Sequence, residues 1–308
     1  MGAVCQMTEP YLCNLIIPGA GKSGTTSLHS TLALHPEICG SEPKEPQFFS
    51  FDERWEKGSE AHNAIFPRDD RDGRKYFLES SQCYFAHPKA ISRIASSLSD
   101  PKIIILLRHP VERLVSQYKW NFRRGTERSS LSTAIEERGE TTDYVFDPRI
   151  NCYREVGGYT AFSRYSKWVP LWQSEFGADR VLVLRHDDIK SAPEIVLKKC
   201  FQFLEISDLQ ISVQKKNKTS ETHAVVFPDW MRKVADNVPA PFKKSYVYDR
   251  LRHKVCVALT REAKISQEEL EKVNYMLEAE VAYFSLIPSL LGGHNVQTSR
   301  TNALPPNA

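Results

Sequence analysis

Residues 15–28, LIIPGAGKSGTTSL, place a lysine and several small hydroxyl side chains directly after a short apolar run. The polar part of this segment consists of Lys22, Ser23, Gly24, Thr25, Thr26 and Ser27. Free backbone N–H groups at a helix N-terminus, hydroxyl groups and a lysine all favour a bound anion. The segment therefore predicts a binding site for a phosphate-bearing ligand.

The segment resembles an ATP-binding P-loop, but it departs from that pattern at a defining position. The pattern requires a glycine five positions before the glycine that precedes the lysine. Counting back from Gly21, that position is Ile16, which is still within the apolar run. The segment therefore still indicates a phosphate-bearing ligand, but it leaves open which one.

A second candidate anion site follows the apolar run of residues 102–107. Arg108 offers a planar guanidinium suited to a bidentate phosphate contact, and Ser116 lies about two helical turns further on. Two such sites at neighbouring strand ends suggest a ligand with two separated phosphate groups. The alternative for Arg108 is a structural salt bridge to Glu112.

A candidate general base lies in the segment 44–49, KEPQFF. Glu45 is flanked by Lys44 and followed by two aromatic residues, an environment that can tune the pKa of a carboxyl group. The alternative is a solvated charge pair on a loop.

The elements that must position these residues follow a repeated strand-then-helix order. The segments 12–18, 102–107 and 180–184 are nearly continuous runs of Ile, Leu and Val, which is typical of strands buried on both faces. Helix-like stretches follow at 25–35, 111–123 and 192–204. This order predicts a single α/β domain with a central parallel sheet flanked by helices, whose ligands bind at the carboxyl ends of the strands.

Further elements complete the predicted domain of residues 1–292. Its core is expected at about 12–206, and residues 207–292 are expected to cover the side of the site where a second substrate, the acceptor, would bind. We expect a strand at 75–80, a helix at 88–98 and a C-terminal helix at 267–286 that begins with a capping box of Ser266 and Glu269. The segment 208–262 is irregular and basic, and the polar tail 293–308 is expected to be disordered.

Bulk composition narrows the class of protein. With 308 residues, 41% hydrophobic and 26% charged, the chain has the balance of a globular enzyme, and a net charge of +3 does not argue for nucleic acid. The N-terminus lacks a signal-peptide pattern and no apolar stretch is long enough to span a membrane, so we expect a cytoplasmic protein without a membrane partner. The seven cysteines lack C-x-x-C spacing, so neither a zinc site nor a disulfide framework is indicated.

Taken together, these motifs resemble the sulfotransferases that use 3′-phosphoadenosine 5′-phosphosulfate (PAPS), particularly the heparan sulfate O- and N-sulfotransferases. The segment 21–28 resembles the family's 5′-phosphosulfate loop, and 104–118 is similar to its 3′-phosphate motif. LHP at 34–36, KEPQFF at 44–49 and the stretch 156–189 match further signatures. The resemblance covers about residues 12–206, with a weaker echo at 217–219.

The resemblance implies transfer of a sulfuryl group from PAPS to an acceptor hydroxyl or amine, with adenosine 3′,5′-bisphosphate as the product and no metal required. Lys22 and residues 23–27 would hold the 5′-phosphate, while Arg108 and Ser116 would hold the 3′-phosphate. Glu45 would take the acceptor proton, and a histidine, His109 or His87, would be considered if Glu45 did not. Lys44 would lie near the sulfuryl oxygens or orient the carboxylate.

The chain also departs from the family pattern. Where the heparan sulfate enzymes tend to carry a lysine, residues 79–84 read ESSQCY, and a C-terminal phosphate-binding loop is replaced at best by Lys254 and Arg261. With residues 50–75 and 208–262 expected to line the acceptor side, a small metabolite or an uncharged saccharide is the favoured acceptor.

Two other functions remain open at this stage. One is a nucleotide kinase with a degenerate P-loop, for which Asp187 or Asp188 is the candidate magnesium ligand. The other is a non-catalytic anion-binding protein of the same fold, which would have no need of Glu45.

Overall fold

A parallel sheet forms the centre of the computed structural model, which describes residues 10–124, 126–147, 151–211 and 263–291. The strands are β1 (Leu15–Ile17), β2 (Ile38–Gly40), β3 (Tyr76–Ser80), β4 (Lys102–Leu107), β5 (Thr142–Asp147), β6 (Cys152–Gly157) and β7 (Val181–Arg185). Five of them form the central sheet in the order β2-β3-β1-β4-β7, with every neighbouring pair parallel. The predicted parallel sheet is confirmed.

Strand β1 lies in the middle of this sheet, so both of its edges are paired. Leu15 is opposite Leu78 of β3 on one side and opposite Lys102 of β4 on the other. The chain passes from β1 towards one edge of the sheet to form β2 and β3, then crosses to the other side for β4 and β7. In open α/β sheets such a change of direction leaves a crevice at the carboxyl ends of the central strands.

Helices cover both faces of the sheet. They are α1 (Thr25–Leu32), α2 (Asp52–Trp55), α3 (Gly58–Asn63), α4 (Pro88–Ser97), α5 (Pro110–Arg124), α6 (Leu131–Arg138), α7 (Tyr165–Phe176), α8 (His186–Ser191), α9 (Pro193–Leu204), α10 (Gln267–Met276) and α11 (Glu278–Leu286). Within the described ranges, none of them is both long and apolar enough to cross a membrane.

Alternating side chains of β1 explain why its sequence is continuously apolar. Leu15 and Ile17 belong to the cluster that packs against α1 and α9, while Ile16 belongs to the cluster on the opposite face with α4 and α7. All three side chains have no exposed surface. A strand buried on both faces has no position for a polar residue before its end, so polar groups appear only in the loop that follows.

The C-terminal helical region differs from the prediction in one respect. The capping box of Ser266 and Glu269 is present, but the expected single helix is two helices, α10 and α11, joined at Leu277. Leu277 is buried and departs from helical geometry, with φ −103° and ψ 14°. The pattern of apolar residues continued across it, so periodicity alone could not reveal the bend.

A two-stranded antiparallel hairpin, β5–β6, lies outside the central sheet and was not predicted. Its register pairs Tyr144 with Glu155 and Asp147 with Cys152. Most of its side chains are only partly buried, so the segment lacks the apolar run that marked the central strands. This hairpin is one of the elements that the sequence motifs did not anticipate, together with β2 of the central sheet and the helix α7.

Candidate active site

A cavity of about 430 Å³ opens where strands β1, β3, β4 and β7 end. Most of the predicted site residues line it, although they are far apart in sequence: Lys22, Gly24, Thr25, Thr26, Ser27, Glu45, Arg108 and Ser116. The carboxyl ends of parallel strands meet at one edge of a sheet, which is why these segments come together. Two predicted residues do not line it: Ser23 is completely buried and Lys44 lies outside the lining.

The lysine loop, residues 18–24, turns the chain from β1 into α1. Gly24 is the N-cap of α1 with φ 94°, a conformation that favours glycine, and a Cβ there would lie 3.2 Å from the ring of His186. A glycine cap has no side chain to bond the first-turn N–H groups of the helix, and the first turn contains no acidic residue. Thr25, Thr26 and Ser27 of this first turn line the cavity, so the positive end of α1 faces it, as an anion site requires.

Lys22 is held over an aromatic ring rather than extended into solvent. Its Nζ lies 4.1 Å from the centroid of the Trp120 ring. Burial lowers the pKa of Lys22 to about 8, the positive charges of Arg108 and Arg123 add to this, and Glu45 and Glu155 oppose it. An anion bound beside the ammonium group favours its charged form, so ligand and lysine stabilise each other.

Arg108, the first residue after β4, forms the salt bridge that the sequence left open as an alternative. Its Nη2 and Nε donate to Oε2 of Glu112 at 2.9 and 3.0 Å. The Glu112 side chain is 53% exposed, and exposed pairs at this helical spacing contribute only about 0.3–0.5 kcal/mol. A doubly charged phosphate can therefore compete with Glu112 for the same guanidinium.

Glu45 lines the cavity from the glutamate loop, residues 41–47, and Lys44 forms an ion pair with it from outside the cavity lining. Lys44 Nζ lies 2.8 Å from Oε1 of Glu45, and the two side chains are 18% and 27% exposed. Since Lys44 does not line the cavity, its geometry fits the alternative in which it orients the carboxylate. Neither His87 nor His109 lines the cavity, whereas His186 does.

Residues on α5 complete the wall below Arg108, and the sequence analysis did not select them. Arg113 is buried, and its guanidinium donates to Ser163 Oγ and to Gln117 Oε1, both at 2.7 Å. Burial lowers the pKa of Arg113 to about 10. Helical spacing is the signal that could have found the rest of this wall. Residues 117, 120 and 121 share one face of α5 with the selected Ser116, and all four line the cavity.

The hairpin contributes four further unpredicted residues, Cys152, Tyr153, Arg154 and Glu155. Glu155 is partly buried, and its Oε1 is shielded from solvent without a hydrogen-bond partner among the described residues. Burial, followed by the charge of Glu45, raises the pKa of Glu155 to about 8, so the group carries a proton at neutral pH. No motif marks this residue; only the folding of the hairpin over the cavity brings it to the site.

The glutamate loop and the hairpin are fastened to each other by side-chain bonds to backbone groups. Gln47 Nε2 donates to the carbonyl of Tyr153 at 2.8 Å, and the N–H of Tyr153 donates to Gln47 Oε1 at 2.7 Å. Arg54 donates to the carbonyls of Pro46 and Asn151. The Phe51 ring stacks on that of Tyr153 with centroids 3.8 Å apart.

This arrangement corrects one expectation. Residues 50–75 were predicted to line the acceptor side, yet none of them lines the cavity. Phe51, Glu53 and Arg54 instead contact Tyr153, so part of the segment supports the hairpin from behind. The aromatic and charged residues of the segment carried no information about which of these two roles they fill.

The segment 79–84, which departs from the sequence pattern of the heparan sulfate enzymes, is mainly part of the core. Glu79 is fully buried and accepts hydrogen bonds from His62 at 2.8 Å, from Ser81 at 3.1 Å and from Tyr84. The ligand atoms of Cys13, His62 and Glu79 lie within 4.8 Å of one another. Both oxygens of Glu79 are already hydrogen bonded, so we interpret the group as a polar core network. Gln82 alone in this segment lines the cavity.

Several predictions of the sequence analysis fall on residues outside the described ranges. They are the echo at 217–219, the candidate phosphate contacts Lys254 and Arg261, the cover segment from residue 212 to 262 and the tail 293–308.

Known proteins that are similar to this chain are sulfotransferases. A family model described as "Sulfotransferase domain" matches residues 13–226. A bifunctional heparan sulfate N-deacetylase/N-sulfotransferase 1 of Caenorhabditis elegans is 27% identical over 210 residues, which cover 65% of this chain and 23% of that protein. A membrane-associated sulfotransferase, kil1, of Dictyostelium discoideum is 25% identical over 270 residues, covering 64% of this chain and 57% of that protein.

Among solved structures, a sulfotransferase from Alicyclobacillus acidocaldarius superposes with a TM-score of 0.56 at 26% identity. The match covers 72% of this chain and 89% of the bacterial one. The chain spans less than a quarter of the length of the heparan sulfate relative, so the activity of that whole protein does not carry over directly.

Proposed function

The chain belongs to the sulfotransferase family, and from that premise we propose that it transfers the sulfuryl group of PAPS to a hydroxyl or amine of a small-molecule or saccharide acceptor. One observation carries the proposal. The lysine loop, the Arg108–Ser116 pair and Glu45 line a single cavity, so two anion sites and a carboxylate lie within reach of one ligand.

Donor binding uses the first two of these groups. Lys22 and the N-terminus of α1 hold the 5′-phosphosulfate, where the hydroxyl groups of Thr25, Thr26 and Ser27 are also available. Arg108 and Ser116 hold the 3′-phosphate and so fix the position of the donor along the cavity. This requires Arg108 to exchange its contact with Glu112 for one with the phosphate.

The reaction is an in-line displacement at sulfur. The acceptor oxygen or nitrogen forms a bond to sulfur while the bond from sulfur to the 5′-phosphate oxygen breaks, and adenosine 3′,5′-bisphosphate leaves. Glu45 takes the proton of the acceptor group, and Lys22 stabilises the negative charge that develops on the leaving phosphate. As in phosphoryl transfer, positioning and charge stabilisation do most of the work.

The kinase alternative loses its candidate magnesium ligands. Asp188 is buried and accepts hydrogen bonds from Ser289 Oγ at 2.6 Å and from the Leu290 N–H at 3.1 Å. Asp187 interacts with its neighbour His186, and neither aspartate lines the cavity. A non-catalytic anion-binding protein would not need Glu45 to face the cavity with Lys44 behind it.

The favoured acceptor is a neutral small molecule or saccharide, whose hydroxyl groups can hydrogen bond the carboxyl groups of Glu45 and Glu155 in the cavity lining. The cytoplasmic location read from the N-terminal sequence stays a prediction, and one relative is named as membrane-associated.

Calorimetry with adenosine 3′,5′-bisphosphate and with Mg²⁺–ATP tests the proposal. We expect the bisphosphate to bind and Mg²⁺–ATP to bind at least about tenfold more weakly, with Lys22→Ala and Arg108→Ala each weakening the bisphosphate by about tenfold or more, the usual loss for a charge-assisted contact. Incubation with sulfur-labelled PAPS and a metabolite extract then shows whether a sulfated product forms. Unchanged bisphosphate affinity in both variants would overturn the two-phosphate assignment.

A further inference from the structure

Glu155 lines the cavity as a partly buried residue, and its carboxyl group is not fully hydrogen bonded by the described residues. Its Oε1 is shielded from solvent and has no hydrogen-bond partner among them. Buried polar groups in folded proteins are normally hydrogen bonded, and an exception at a binding site calls for an explanation. A ligand group that enters the cavity could supply the hydrogen bond that the Glu155 carboxyl group lacks.

Glu155 forms no ion pair with another described residue, although the charges of Arg113 and Lys22 partly oppose the rise in its pKa. The guanidinium of Arg113 donates to Ser163, to Gln117 and to the carbonyl of Tyr159. Arg154 is paired with Asp147. Lys22 lies over the ring of Trp120 in the part of the cavity assigned to the donor. A structural ion pair therefore does not account for the position of Glu155.

Gln47 sets the position of Glu155 relative to Glu45. Its amide forms two hydrogen bonds with the backbone of Tyr153, and each carboxyl residue is two positions away from this junction. Gln47 is 1% exposed, so solvent does not compete for these bonds. The two carboxyl groups are thus held beside the same cavity by a rigid connection, and Glu45 is close enough to raise the pKa of Glu155.

The ionisation of Glu155 indicates what kind of group it receives. With its pKa raised to about 8, it is a neutral carboxyl group at pH 7, able both to donate and to accept a hydrogen bond. An acceptor hydroxyl has the same dual capacity. A sulfate or carboxylate on the acceptor would instead meet Glu45 close by.

We propose that Glu155 is a specificity-determining residue that hydrogen bonds a second, non-reacting hydroxyl of the acceptor, while Glu45 takes the proton from the hydroxyl that is sulfated. The inference rests on the proposed function. Glu155 is chemically unchanged in the reaction, and the bonds that form and break are those of sulfuryl transfer alone. The acceptor class is therefore a neutral molecule with at least two neighbouring hydroxyl groups, as in a sugar ring.

A matched pair of probes isolates this contact. Trans-1,2-cyclohexanediol and cyclohexanol share one ring and differ by a single hydroxyl, so each is offered with sulfur-labelled PAPS to the whole chain of residues 1–308. We expect wild-type kcat/KM to favour the diol by about tenfold or more, because a site built to bond a hydroxyl discriminates against the analogue that lacks it. In Glu155→Ala the preference should fall to about twofold, the ratio of hydroxyl groups.

Glu155→Gln is the conservative control, because an amide also donates and accepts. We expect it to keep the diol preference within about threefold of wild type, since it preserves both hydrogen-bonding capacities. At pH 7, where Glu155 is mostly neutral, calorimetric affinity for adenosine 3′,5′-bisphosphate should be nearly unchanged in both variants, which also shows that they fold.

Three results would overturn the inference. They are equal use of the two alcohols by the wild type, an undiminished preference in Glu155→Ala, and a Gln variant as poor as the Ala variant. Absence of any sulfated diol while the bisphosphate still binds would also overturn it. Failure of the wild type to bind the bisphosphate would instead overturn the proposed function, so the two failures are distinguishable.

Discussion

The lysine loop and the hairpin form different sides of the same cavity, and they are built in different ways. The lysine loop connects β1 directly to α1, so one continuous stretch of sequence supplies its strand, glycine turn, lysine and helix N-terminus. The hairpin is placed by contacts with residues about a hundred positions away, such as those between Gln47 and Tyr153. The lysine loop, which we propose binds the donor, is thus encoded in one local segment, whereas the hairpin, which we propose contacts the acceptor, is positioned by long-range packing.

Burial also separates the two regions. The strands that carry the lysine loop and Arg108 are almost completely buried, while β5 and β6 are largely half-exposed. A rigid sheet suits a donor whose phosphates always have the same spacing. We infer that the hairpin is the part of the fold where acceptor preference changes most readily, because substitutions on partly exposed strands disturb the core least.

The largest expected effect separates chemistry from donor binding. Glu45→Gln should lower kcat by about 10²-fold or more, the usual contribution of a general base, and should leave bisphosphate affinity within about twofold. Single-turnover measurements with labelled PAPS, together with calorimetry, check both halves. Near-normal turnover would remove Glu45 from this role and direct attention to His186, the histidine that lines the cavity.

A pH series tests the donor side. Protonated Lys22 attracts the phosphate, and its pKa of about 8 in the unliganded protein means that the charged form is lost as pH rises through 8. Bisphosphate affinity should therefore fall by about tenfold between pH 7 and pH 9, the consequence of one proton taken up on binding.

The carboxyl group of Glu155 titrates in the same range and acts in the same direction, since its ionisation adds a negative charge to the cavity. Glu155→Gln removes that contribution and should retain most of the decline. Arginine stays charged throughout this pH range, so Lys22→Arg should remove the part of the decline in affinity that Lys22 causes. An affinity in Glu155→Gln that does not change with pH would contradict the assignment to Lys22.

Gln47→Ala tests whether the hairpin is positioned by that junction. The variant loses both bonds to Tyr153 and leaves the lysine loop untouched, so acceptor KM should rise by about fivefold to tenfold while bisphosphate affinity stays the same. Steady-state kinetics with the cyclohexanediol probe measures the change. A loss of bisphosphate affinity of similar size would show that the two sides of the cavity are not independent.

The smallest effect concerns Arg108. Glu112→Gln removes the carboxylate that pairs with this guanidinium, so bisphosphate affinity should rise by about twofold, in proportion to the weak exposed pair that is lost. The rise should shrink at high salt, because exposed charges are screened. A decrease in affinity would show that Glu112 orients Arg108 for the phosphate rather than competing with it.

The sequence by itself indicated four strands of the parallel sheet, several of its flanking helices and the candidate anion-binding residues. Buried strands are apolar over their whole length, and the polar groups that follow them are adjacent in sequence to the strands that position them. Lys22 and Arg108 could be selected for this reason, whereas Glu45 could be selected from the lysine and the aromatic residues of its local motif.

Only the tertiary structure decided the other side of the cavity, which we propose receives the acceptor. It uses Phe51, Glu53 and Arg54 of the segment 50–75 to support the hairpin rather than to line the cavity. It also excludes Ser23 and Lys44 from the cavity surface. It also brought in Glu155, whose position depends on pairing between two partly exposed strands and on the amide of Gln47. Such contacts join residues far apart in sequence, and neither apolar periodicity nor motif spacing records which of them will meet.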